Sequence, residues 1–193
     1  MIVRIIMILF AIMNVIPAEA KRTFCSKGPV SVSVSIPDSK TEIKNSEAIP
    51  NRYGEVIATF QKKLTLETGQ NAECVVLTAV AAEIKYDFLI RIDKRFRKGS
   101  CEWDAVLGHE SDHVETYQSI LFDFKDKLEK ALTAAAKTVP HAPLSGDAVD
   151  DMAMQIELSP ELQIVLREME MEADLRNRHI DGFDYFDYMS NCK

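Results

Sequence analysis

Residues 98–113 read KGSCEWDAVLGHESDH, and the rest of the chain can be interpreted outward from them. Lys98-Gly99 ends whatever precedes. Ser100 is a helix N-cap candidate, and Glu102 and Asp104 fall in the first turn, where the helix dipole favours negative charge. A long helix is expected from there to about Lys137. Its apolar face runs Val106, His109, His113, Tyr117, Ile120, Phe124 and Leu128, so both histidines turn toward the protein interior.

Within this helix His109-Glu110-Ser111-Asp112-His113 is an H-E-x-x-H motif. Two histidines at i and i+4 share one face, so their imidazoles can converge on a single zinc ion, with Glu110 beside them. Zinc makes a bound water acidic near neutral pH, and a neighbouring carboxylate can take its proton and pass it to a leaving amine. The pattern therefore points to peptide-bond hydrolysis by a metal-activated water, with Glu110 as general base. The plainer alternative is a pair of buried structural histidines. Such a pair with a glutamate between them is costly to bury uncompensated, and a metal is the simplest compensation.

A catalytic zinc needs a third protein ligand, and the residues after His113 do not supply one, since Ser119 stands where an extended motif would need His. Farther along, Glu170 and Asp174 form an E-x-x-x-D pair on one helical face. In that reading Glu170 is the ligand and Asp174 hydrogen-bonds a ligand imidazole. Glu172 and His179 are rival third ligands. Equally, these acidic residues can simply solvate an exposed face, with Glu172 and Arg176 as an i,i+4 ion pair. His141 is a lesser candidate, as a donor to an oxyanion.

Upstream, Val30–Ile36 alternates Val, Ser and Ile with a strict period of two, a half-buried strand ended by Pro37. Tyr53, Val56, Ile57, Phe60 and Leu64 have helical spacing, predicting a short helix closed by Thr68-Gly69-Gln70-Asn71. Cys74–Ile84 and Tyr86–Ile92 read as two further strands. Downstream, Pro140–Asp147 (PHAPLSGD) is expected as a loop. A last helix should begin at Pro160 after Ser159 and run to about Arg178. The fold class is α+β: a small mixed sheet packed on the long H-E-x-x-H helix, plus a C-terminal helix.

Met1–Ala20 has a basic start at Arg4, an apolar run Ile5–Ile16 and an A-x-A close, the pattern of a secretory signal peptide cleaved after Ala20. The run is shorter than the roughly 20 residues that span a bilayer, so no stable membrane insertion is expected after cleavage. Residues 21–193 then form one domain, secreted or periplasmic. All four cysteines (Cys25, Cys74, Cys101, Cys192) lie in it, and two disulfides are expected. Of the three possible connectivities, a Cys101–Cys192 bridge would tie the C-terminal tail to the start of the motif helix. The net charge of -7 leaves no electrostatic footprint for nucleic acid.

On His109, Glu110 and His113, and more weakly Glu170 and Asp174, the chain resembles the zincin metallopeptidases in their glutamate-liganded branch. It looks most like small secreted bacterial proteins predicted to be zinc-dependent proteases, where a sheet leads through a cysteine-containing turn into an H-E-x-x-H helix. The likeness in element order spans roughly Val30–Lys137. It implies a zincin-like fold, a Zn2+ cofactor and a peptide or protein substrate. Two other readings share the scaffold: an exported binding protein without catalysis, and a zinc amidase acting on peptidoglycan.

Overall fold

The computed structural model describes residues 28–47, 52–71, 74–139, 142–143, 147–182, 189–190 and 192. The expected leader, Cys25 and His141 lie outside the described residues. The architecture is mixed α+β, with a five-stranded sheet and three helices among the described residues.

The sheet is organised on one strand. β4 (Cys74–Asp93) is paired along one edge, antiparallel, with β3 (Gly54–Asn71). Its other edge is shared by β1 (Ser31–Ser35) and β2 (Thr41–Ser46), both parallel to it, and by β5 (Ala142–Pro143), antiparallel. On β4, Val80, Ala82, Ile84, Tyr86, Phe88, Ile90 and Ile92 alternate into the core, as a half-buried strand requires. Nearer its start the inward residues are Val75 and Leu77, in the opposite phase. A register shift opposite Glu67/Thr68 reconciles the two, leaving Thr78 as the extra residue, whose Oγ1 donates to the Glu67 carbonyl at 3.0 Å.

Two sequence expectations are corrected here. The segment predicted as a short helix is the first half of β3, in which Val56, Ala58, Phe60, Leu64 and Leu66 face the core. The alternation is disguised because Lys62 takes an inward position, with Nζ 3.4 Å from Glu157, while Ile57 faces out. The two strands expected over 74–92 are one. Lys85 does not break it, because its Nζ lies on the outer face 3.0 Å from Asp87.

The motif helix α1 (Cys101–Thr138) starts at Ser100, whose side chain accepts from the Trp103 amide at 3.2 Å, a cap worth about 1 kcal/mol. Trp103 is buried under the helix and its indole N–H donates to Asn45 of β2 at 3.3 Å. Val106, Ile120 and Leu121 are fully buried against the sheet. The segment 140–147 expected as a loop lies mostly outside the described residues, and its described part, Ala142–Pro143, is β5. A helix that the sequence reading left out, α2 (Ala148–Glu157), follows and buries Ala148, Met152 and Ile156, one turn apart. The last helix, α3 (Pro160–Asp181), begins with Ser159 accepting from the Leu162 amide at 3.4 Å and runs one turn past its expected end to Gly182.

α3 runs antiparallel to α1, as three contacts establish: Lys127 with Glu168 at 3.2 Å, Asp123 with Arg176 at 2.8 Å, and His113 with Asn177 at 2.7 Å. Its C-terminal end therefore lands beside the first turns of α1. A Cys101–Cys192 disulfide joins the first residue of α1 to the chain beyond α3. Cys74 is also disulfide-bonded, and no described cysteine is free.

Candidate metal centre

His109 and His113 lie one turn apart on the inner face of α1, and their Nε2 atoms are 3.3 Å apart. Asp181, the last residue of α3, brings Oδ1 within 3.3 Å of His113 Nε2 and 3.7 Å of His109 Nε2. These three residues each point one donor atom at a common space and can hold a metal ion. Both histidines and Glu110 are buried, whereas the Asp181 side chain is 64% exposed, so the group is open to solvent on the α3 side.

Outer contacts set the orientation of one ring. Asn177, one turn before Asp181, donates its amide N–H to the Ala173 carbonyl at 2.9 Å and turns Oδ1 to His113 Nδ1 at 2.7 Å. In the neutral ring this contact favours the proton on Nδ1 and leaves the Nε2 lone pair toward Asp181, the form a metal ligand needs. Burial holds the His109 imidazole below its ordinary pKa, with the neighbouring His113 pushing the same way and Asp181 partly opposing both. His109 is thus kept neutral, again the ligating form.

The group opens into a cleft of about 360 Å³. One wall is the start of β3 with Arg52, Tyr53, Gly54 and Val56, and the other is α1 with Glu110 and Tyr117. Burial, then the Asp174 and Asp181 charges, raise the Tyr117 pKa, so its phenol stays protonated and can donate a hydrogen bond into the cleft. Tyr86, behind it with ring centroids 4.9 Å apart, is pushed up to about 12 by burial, with Tyr117, Glu170 and Asp174 adding to the shift.

The C-terminal candidates sort by helical geometry. At about 100° per residue, Glu170 shares the face of Asp181 but stands eleven residues, about 16 Å, farther along the axis. It and Asp174 act on Tyr86 and are not in the metal-binding group, whose third member is Asp181. Glu172 is turned about 180° away and pairs with Arg176 at 2.7 Å, the i,i+4 ion pair considered above. His179 is exposed and also turned roughly 160° from Asp181. Asn177 and Asp181 repeat the i,i+4 spacing of Glu170 and Asp174 two turns later, and Gly182 was the signal that the helix reached them.

Comparisons with protein-family models, with curated proteins and with solved structures find no match for this chain. No helix among the described residues is long and apolar enough to cross a membrane.

Proposed function

We propose that the protein is an exported zinc-dependent peptidase of zincin-like design, in which His109, His113 and Asp181 hold the metal and Glu110 is the general base. The observation that carries the reading is the donor spacing. Zinc with ligand bonds of about 2.0–2.1 Å sets tetrahedral donor atoms roughly 3.3 Å apart. The two Nε2 atoms are 3.3 Å apart, and Asp181 Oδ1 stands 3.3 and 3.7 Å from them. Three protein ligands leave a fourth position open toward the cleft, as catalytic sites do.

Bound zinc would supply Lewis-acid activation of water. Glu110, one residue from His109 and buried at the base of the cleft, accepts the proton of the attacking water and returns it to the departing amine. Tyr117, which keeps its proton, gives the cleft a neutral donor for the carbonyl oxygen. The β3 wall orients the peptide beside these groups.

The test begins with protein purified without chelator and analysed for metal. About one zinc per chain, lost in His113→Ala, supports the site. Cleavage of fluorescein-labelled casein should then vanish in Glu110→Gln while zinc stays bound. No zinc after loading would refute the reading, as would unchanged turnover in Glu110→Gln.

A further inference from the structure

Gly54, the first residue of β3, stands directly against Glu110. A Cβ built there would lie 2.6 Å from Glu110 Oε1, 3.0 Å from its Cγ and 2.7 Å from Val106 Cγ1. Carbon atoms in good contact are about 3.5–4 Å apart, so a side chain at 54 must displace something. The backbone cannot give way. Gly54 is in register with Ile92, which is fully buried, and the preceding carbonyl of Tyr53 accepts from the Asp93 amide at 2.9 Å. Nor is the glycine needed for backbone freedom, since Gly99 is the one described glycine with positive φ.

We propose that Gly54 is the positioning residue for Glu110: its missing side chain is the space in which the carboxylate is held beside the two imidazoles. This rests on the peptidase reading, in which that carboxylate is the base. Of the atoms a Cβ would strike, the end of Glu110 moves most easily, because it turns about its own side-chain torsions. Val106 is fully buried between helix and sheet and is much harder to shift. The three nearest atoms belong to Glu110 and Val106. A methyl group at 54 therefore meets the base before any residue of the metal-binding group.

The experiment compares wild type and Gly54→Ala by crystal structure, zinc content and casein cleavage. The expected result is a Glu110 carboxylate moved by about 1 Å or more, unchanged zinc, and kcat lowered about 100-fold with KM within about twofold. A Glu110 that overlays its wild-type position overturns the inference, as does full kcat with the carboxylate displaced. If Gly54→Ala does not fold, Gly54→Ala with Val106→Ala removes the 2.7 Å clash and keeps the one with Glu110, Val106→Ala alone being the control. A double variant that still cannot fold, where the control does, assigns Gly54 to packing and overturns the proposal. If zinc-loaded wild type leaves casein intact, the peptidase reading falls, while the position of Glu110 still decides whether Gly54 sets it.

Discussion

Asn177 Oδ1 and His113 Nδ1 are 2.7 Å apart, and with Nδ1 engaged there the ring presents Nε2 to Asp181. The amide can be oriented only one way, because its N–H is committed to the Ala173 carbonyl. Removing it in Asn177→Leu should weaken zinc binding about 10- to 100-fold, measured by competition with a chelator, whereas Asn177→Asp should hold it within a few-fold. Unchanged affinity in the leucine variant would mean the ring is oriented by its packing alone.

Asp181 and Glu170 share a helical face but differ in height, which makes them easy to separate by mutation. Asp181→Asn should lose bound zinc on dialysis, and Glu170→Gln should keep about one per chain. The reverse pattern would return the third position to Glu170.

His109 supplies a dependence of stability on pH. Its folded pKa lies below the ordinary 6.5, burial being the main cause, so between that lowered value and 6.5 the unfolded chain binds more protons than the folded one. For the metal-free protein this contribution is complete above pH 6.5 and declines as pH falls through 6.5 toward the folded value, by at most about 1.4 kcal/mol per pH unit. Urea titrations at pH 7.5 and 5.5 should show it, and His109→Gln should lose that part of the slope. An identical slope in the variant would assign the effect to other groups.

The Cys101–Cys192 bridge closes a loop with a sequence separation of 91. Replacing both cysteines by serine should lower unfolding stability by about 2–5 kcal/mol, seen as a lower urea midpoint. A midpoint unmoved by the double substitution would show that helix packing alone secures the C-terminus.

Much of this arrangement can be read directly from residues. The Val-Ser alternation marks β1, Ser100 and Ser159-Pro160 mark the starts of α1 and α3, and the i,i+4 histidines mark the inner face of α1. What escaped has specific causes. β3 hid its period of two because Lys62, an inward residue, is stabilised by Glu157 of α2, a partner visible only once both elements are placed. Asp181 was missed because the basic residues Arg178 and His179 look like a helix end, while α3 continues to Gly182. Gly54 could not have been recognised at all, since its significance is a distance to a side chain 56 positions away.

The central place of β4 also dictates an order of assembly. β3 and β4 are separated by two residues and can zip as a local hairpin, but Ser31 must find Ala79 and Thr41 must find Phe88, and neither has a template until β4 exists. Closing such distant pairings is the slow, entropically expensive part of folding. In pulsed hydrogen exchange, amides of the hairpin should gain protection before those of β1 and β2. The first strands among the described residues are thus secured only after the hairpin, and during that interval their edge of β4 is open to pairing with another chain.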